Sequence, residues 1–255
     1  MTRLPTMSAD ISSRIMPETT NHEVELLGNP VNYDVRRSDE ATEPRIDVDI
    51  RNVTVVLPED STENPESLLA DNAAWVVEKK RKYDSYREQI PKRRFEPGEM
   101  FPYLGEPHKI IVEQRSSSEV SDDELRLAKH HVEQTSVKRA LETLFRRKAR
   151  KWFEKRADHY AAEMDVEYKQ IEIRNQRTKW GSCSTTGTLG LNWRLMMAPP
   201  DVVDYIIVHE LAHLRERNHT DAYWKLVGEY IPDYKEKAEW LNQNSTKLVF
   251  SEDDV

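Results

Sequence analysis

The stretch PPDVVDYIIVHELAHLRERNHTDAYW (199–224) constrains this chain more than any other. Val203, Ile206, Ile207, Leu211 and Leu214 recur three and four apart, so the segment reads as a helix opening near Pro200 and Asp201 with an apolar stripe turned to a core. Three of the eight histidines of the chain fall here, within eleven residues. His209 and His213 are four apart and leave one helix face a turn from each other. Two imidazoles so placed chelate one ion, and Glu210 between them stands beside it. This is the H-E-x-x-H arrangement, in which two zinc ligands flank a carboxylate that takes a proton from water. Asn218 suits the exit from the helix and lets His219 turn back as the third ligand. Glu229 and Glu236 are the alternatives for that position. Three neutral imidazoles leave zinc its charge and an open position. His22, His108, His130, His131 and His159 read as ordinary structural histidines.

The surroundings imply a globular host. In 255 residues, 33% are charged, mean hydropathy is −0.81, and no apolar run approaches the roughly 20 residues of a membrane span. MTRLPTMSADISSR lacks the apolar region of a secretory signal, and a single cysteine, Cys183, forbids an internal disulfide framework. These features predict a cytoplasmic protein with no membrane association. The net charge of −8 is uneven. Residues 79–94 and 138–156 together hold 17 of the 38 Lys and Arg but only 4 of the 46 Asp and Glu. The helix over 138–156 reads as a solvated face first, and as a phosphate or nucleic-acid contact second.

Along the chain, residues 1–20 are polar and patternless and read as a flexible segment, 21–130 as a β-rich module with one helix, 131–245 as the domain carrying the histidines, and 246–255 as an acidic tail. Strand-like runs EVELL, VNYDVRR, RIDVDIR and VTVVLP precede a helix with Pro65 in its first turn. On that helix Leu68, Leu69, Asn72, Trp75, Val76 and Lys79 share one face. HKIIVEQR and ELRLAK look like the two strands of a hairpin. From Ser136 a long helix buries Val137, Leu141, Leu144, Phe145, Ala149, Trp152, Phe153, Tyr160 and Met164. WGSCSTTGTLGLNWRL reads as an antiparallel hairpin holding three of the seven glycines, which signals positive φ or a close approach. DYKE resembles a capping box opening a last helix. No internal repeat stands out. The expectation is an α+β fold, an N-terminal β-rich module followed by a small helical catalytic domain.

RTKWGSCSTTGTLGLNWRL (177–195), APPDVVDYIIVHELAHLRERNHTDAYW and IPDYKEKAEWL together resemble the YgjP-like metallopeptidase family of the zincins, related to SprT-like proteases. The resemblance is strong over 136–242 and weaker before it. It implies a zincin-like catalytic domain, His209, His213 and His219 as zinc ligands, Glu210 as general base and a peptide or protein substrate. Arg177, Trp180, Gly181, Ser182 and Cys183 match a family motif. Arg177, Trp180 and Asn192 are candidate substrate contacts, and the 180–195 hairpin could add an extended peptide to its edge. Arg177, Asn192 and Tyr205 are candidate oxyanion donors. Metzincins share the histidine spacing but need glycine at the position of Glu216 and a later methionine turn, and no methionine follows Met197. The acidic RRSDEATEPRIDV departs from the family pattern, which is basic there. Two other functions fit the same residues. One is metal-dependent hydrolysis of a nucleotide phosphoanhydride, with Arg146, Arg147 and Lys148 binding phosphates. The other is a nucleic-acid-associated module whose metal is structural. Oligomeric state and physiological substrate leave no signal in the sequence.

Overall fold

A computed structural model describes residues 22–176 and 179–252. The fold is α+β, with seven α-helices and three small sheets among the described residues. The chain divides into two compact units, one up to Ile90 and one from Pro91.

In the first unit, β1 (His22–Leu26), β2 (Asn29–Ser38), β3 (Arg45–Val48) and β4 (Val53–Pro58) form a sheet ordered β1-β2-β4-β3. Leu27 and Gly28 join β1 to β2 with φ of 50° and 74°, the two positive values a two-residue hairpin of type I′ requires. β2 and β4 are parallel, and β3 lies outside them, antiparallel to β4. The sequence suggests one following helix, and the structure has two. α1 (Pro65–Asp71) is capped by Asn64, whose side chain accepts from the Glu66 N–H at 2.8 Å. Asn72 then leaves helical geometry, its amide donating to the Leu68 carbonyl at 2.9 Å, and α2 (Ala73–Glu88) begins anew. Leu69, Ala73, Val76 and Val77 cover the sheet, with Val31, Tyr33, Val53, Val55 and Leu57 beneath. Trp75, placed by the sequence on the apolar face, is 42% exposed instead, because the break at Asn72 re-phases the helix.

The second unit opens with β5 (Met100–Tyr103), β6 (Glu106–Glu113), β7 (Glu119–Ser121) and β8 (Glu124–Ala128), ordered β5-β6-β8-β7. Here the expected hairpin is absent: β6 and β8 are parallel. The connection contains its own strand, β7, which takes the antiparallel place beside β8. The connectivity therefore repeats that of β1–β4. The repeat extends to the turn, where Leu104 and Gly105 carry φ of 48° and 84° in Leu-Gly-Glu-Pro, against Leu-Gly-Asn-Pro at 27–30. Two helices again follow, α3 (Lys129–Gln134) and α4 (Val137–Met164). An internal repeat thus exists in the strand wiring, of which the sequence itself shows only the shared Leu-Gly-x-Pro turn.

Ser136 caps α4 by accepting from the Arg139 N–H at 3.1 Å, and Asp165 ends it in the left-handed region at φ 51°. Leu141, Leu144, Phe145, Ala149 and Phe153 are buried, sharing one core with Phe101, Ile110, Leu125 and Leu127 of the β5–β8 sheet. Strands the sequence assigns to the N-terminal module thus pack with the histidine-bearing part. β9 (Gln170–Arg174), β10 (Gly181–Cys183) and β11 (Thr188–Asn192) form a third sheet ordered β10-β11-β9, with the expected antiparallel β10–β11 hairpin. β11 runs parallel to β9, which leaves β10 at an edge.

A 3-10 helix (Trp193–Met197) leads into α5 (Pro200–Ala212), then α6 (Asp221–Tyr230) and α7 (Tyr234–Asn244). α5 is not amphipathic. Val202 to Val208 and Glu210 to Ala212 are all buried, so α5 is a central helix. The acidic Asp204 tolerates that burial because Arg156 of α4 grips it with two hydrogen bonds of 2.6 Å, and the Tyr160 hydroxyl donates at 3.4 Å. The capping box expected at DYKE does not form. Asp233 makes no side-chain cap, since its carboxylate binds Lys237 at 2.8 Å, and Lys237 also binds Asp201 of α5 at 2.6 Å.

Candidate metal centre

α5 delivers His209 from its last turn and His213 from its C-cap, where φ −65° and ψ −16° keep helical geometry. Four residues apart, the two rings leave the same face, with centroids 5.3 Å apart. Past His213 the chain makes tight turns, Leu214 N–H to Leu211 O at 3.0 Å and Glu216 N–H to Ala212 O at 2.9 Å. It then doubles back, so that His219 comes within 5.1 Å of His209 and 4.8 Å of His213, centroid to centroid. One ligand atom from each of the three lies within 4.8 Å of the others. They are the only such group of three His, Cys, Asp or Glu among the described residues.

The chemistry of this donor set fits a divalent ion. Burial holds all three imidazoles below the usual histidine range, His209 at about 3, and the mutual proximity of the rings adds to the shift of His209 and His213. Neutral rings keep the lone pair that a metal needs. The Nε2 atoms of His209 and His219 lie 3.2 Å apart. The His213 Nδ1 faces the Glu216 carbonyl at 3.3 Å, which fixes the tautomer with Nε2 unprotonated. The His209 Nδ1 is buried without a hydrogen bond among the described residues, an orphaned atom in a ring boxed by Tyr205, Tyr223 and Trp224. The Tyr223 hydroxyl donates to the His209 carbonyl at 2.8 Å and ties α6 to α5.

Glu210 is 5% exposed. Burial pushes its carboxyl up to about 8, opposed by the charge of Lys179. Its side chain lies directly against Gly181 of β10. A Cβ at 181 would meet Oε1 at 2.4 Å, Cγ at 2.7 Å and Cδ at 2.8 Å. The glycine of the Trp-Gly-Ser-Cys run is therefore the floor on which the carboxylate rests, a contact unassigned from sequence although the glycine cluster signalled a close approach. Gly190 opposes Ser182, where a Cβ would meet Oγ at 2.7 Å, and Gly187 supplies the turn at φ 80°.

The remaining candidates divide. Trp180 is half-buried and packs on the main core, its carbonyl accepting from the Asn192 N–H at 2.9 Å. Asn192 is 3% exposed and its amide is fully engaged, donating to the carbonyls of Gln176 (2.7 Å) and Lys179 (3.2 Å) and accepting from the Arg194 N–H at 3.1 Å. That is the bonding of a brace, with both amide hydrogens committed to the protein. Arg177 lies outside the described residues. Cys183 packs against the core, its thiol pushed up to about 11 by burial and by Glu210. Tyr205, one turn before His209, is held up at about 12 by burial and then by Glu210 and Tyr234, and its hydroxyl has no hydrogen bond among the described residues. On α4, Arg146 pairs with Glu142 at 2.8 Å and Arg147 donates to the Ser118 carbonyl, so two of the three groups named for phosphate have protein partners.

The family described as YgjP-like, metallopeptidase domain, matches residues 42–244. The chain belongs to the YgjP-like metallopeptidase family. It is thereby a metallopeptidase, a hydrolase that works with a metal ion. Among solved structures, the metallopeptidase zymogen of Pyrococcus abyssi abylysin is 22% identical, with 37% of this chain and 96% of that chain covered at a TM-score of 0.35. The metallopeptidase zymogen of Methanocaldococcus jannaschii jannalysin is 24% identical, with coverage of 36% and 88% and a TM-score of 0.34. No curated protein matches the chain. No helix among the described residues of this YgjP-like chain is long and apolar enough to cross a membrane.

Proposed function

We propose that this YgjP-like chain is a zinc peptidase in which His209, His213 and His219 hold the ion and Glu210 is the general base. The convergence of three neutral imidazoles beside one buried carboxylate carries this reading. Zinc held by these three imidazoles would supply Lewis acidity toward a carbonyl and an activated water. The residues of the chain do the rest. Glu210, poorly solvated and resting on Gly181, is a stronger base than a surface carboxylate and is fixed in direction. It takes a proton from the attacking water and returns it to the departing amine. β10, at the edge of its sheet and in contact with Glu210 through Gly181, is our candidate for the strand to which an extended peptide adds. Tyr205, whose ring lies 5.9 Å from that of His209, is our candidate for the donor that steadies negative charge on the scissile oxygen.

Metal analysis of the purified protein and two variants, paired with a screen of unfolded peptides and nucleoside triphosphates, tests the proposal. Glu210→Gln is expected to retain one zinc per chain and lose peptide turnover, and His219→Ala to lose zinc. Normal peptide hydrolysis by Glu210→Gln would remove the assigned mechanism. Hydrolysis of triphosphates with no peptide cleaved would move the chemistry to phosphoanhydrides.

A further inference from the structure

His219 differs from its two companions in having no helix to carry it. His209 and His213 inherit their directions from α5, whereas His219 precedes α6 on the returning chain and is exposed. A metal-ligating imidazole is ordinarily oriented by a hydrogen bond from its second nitrogen. His213 has that contact, at the Glu216 carbonyl. His219 has none among the described residues, its one polar contact being Nε2 to Nε2 of His209.

What fixes the His219 ring is aromatic. The Trp224 indole lies nearly parallel to it, with centroids 5.5 Å apart and planes at 21°. Trp224 is itself stacked on Tyr234, at 5.2 Å and 13°. Tyr223 meets His219 edge-on at 4.7 Å and 85°. These rings stand on firm supports. Thr220 caps α6, accepting from the Tyr223 N–H at 3.4 Å, and the Trp224 N–H donates to the Thr220 carbonyl at 3.1 Å. Tyr234 opens α7, and α7 is pinned to α5 through Lys237.

We infer that Trp224, backed by Tyr234, is a positioning residue for His219: the stacked indole replaces the missing hydrogen bond, holds the third imidazole in ligating orientation before the ion arrives, and so sets how tightly and how long the metal is kept. The inference rests on the reading of His209, His213 and His219 as ligands. Its physical basis is preorganisation. A ligand on an unsupported loop surrenders rotamer freedom on binding, whereas a ring already stacked surrenders little.

The test measures metal, not activity. Zn²⁺ affinity of the metal-free full-length protein is read by competition with a chromophoric chelator, and loss of Zn²⁺ into excess EDTA gives the release rate. Circular dichroism and melting of the metal-free proteins check the fold. Trp224→Leu is expected to weaken affinity by about 10- to 100-fold, the range for supports of metal ligands, with faster release. Trp224→Phe, which keeps a stacking ring, should return to within a few-fold of wild type. Tyr234→Leu, which leaves Trp224 in place, should fall between. In a His219→Ala background, Trp224→Leu should cost far less than in the wild type, only what its contact with His209 contributes, and Co²⁺ loaded into Trp224→Leu should give an absorption spectrum approaching that of His219→Ala. Wild-type affinity in Trp224→Leu overturns the inference, as does an equal loss in both backgrounds or failure of phenylalanine to rescue. If His219→Ala itself binds Zn²⁺ as tightly as wild type, the ligand assignment has failed, a result distinct from any of these.

Discussion

Substituting Gly181 by alanine is the sharpest way to test whether the Trp-Gly-Ser-Cys strand sets Glu210, the carboxylate we propose as general base. The added methyl would lie 2.4 Å from Glu210 Oε1 and under 3 Å from Cγ and Cδ, where ordinary contact begins near 3.4 Å. Something must therefore give by roughly 1 Å, and a misplacement of that size at a reacting group costs about 100-fold in rate. Glu210 cannot swing into solvent at no cost, because it is 5% exposed and its neighbours on α5 are buried. The three atoms nearest the added methyl all belong to Glu210 and none to a histidine, so the ion should be unaffected. The expected outcome is a kcat about 100-fold lower at unchanged metal stoichiometry, with destabilisation of about 1–3 kcal/mol from overpacking. Peptide turnover at saturating Zn²⁺, metal analysis and thermal melting together read these three quantities, and Glu210→Gln supplies the floor. A folded, fully loaded Gly181→Ala enzyme working within threefold of wild type would show that the strand does not set the carboxylate.

Tyr205→Phe should keep the metal and lower kcat by about 10²–10³ with little change in KM, the effect of losing one oxyanion donor, and steady-state kinetics would expose an unchanged kcat. Arg156→Met leaves Asp204 buried without its cation, so denaturant unfolding should show a loss of about 3 kcal/mol, while Asp204→Asn should be milder. Lys237→Met should lower the melting temperature in a pH-dependent way. The Lys237 hydrogen bond, then its charge, holds the Asp233 carboxyl below the usual carboxylate range, so this contribution is complete above the unfolded pKa near 4 and disappears as pH falls through the lowered value. Lys237 is itself raised, by Asp201 and then Asp233, so its contribution persists to about pH 10.5 and is lost only above that. Melting of both proteins from pH 2 to 11 should give a difference that is flat in the middle, narrows toward pH 2 and only begins to narrow as pH reaches 11.

The convergence of the three histidines was legible because its information is local. Four-residue spacing on a helix fixes the relation of His209 to His213, and one helix exit brings His219 back. The helix start at Ser136 was equally readable, since its side chain bonds its own next turn. What escaped is what two distant segments decide together. HKIIVEQR and ELRLAK alternate identically whether paired parallel or antiparallel, and only the insertion of β7 settles the matter. Asp204 reads as a polar interruption until Arg156 arrives from 48 residues away. DYKE satisfies a capping pattern, but Lys237 reaches the aspartate first. Gly181 announced some close approach, while its partner lay 29 residues on. The aromatic stack on His219 gave no periodic signal, because Trp224 and Tyr234 belong to different helices.

The twofold use of one strand wiring has a consequence for which mutations the chain can absorb. At Gly105 a side chain would press on Pro199 at 3.1 Å, and the Leu104 N–H donates to the Met196 carbonyl at 2.6 Å, so this hairpin tip bears on the entry to α5. At Gly28 nothing lies within 4 Å, and Leu27 is 69% exposed. Identical corners thus carry unequal duties. Natural variation should accumulate at the idle corner, limited only by its backbone angles, whereas drift at the other would be felt through α5 at the histidines.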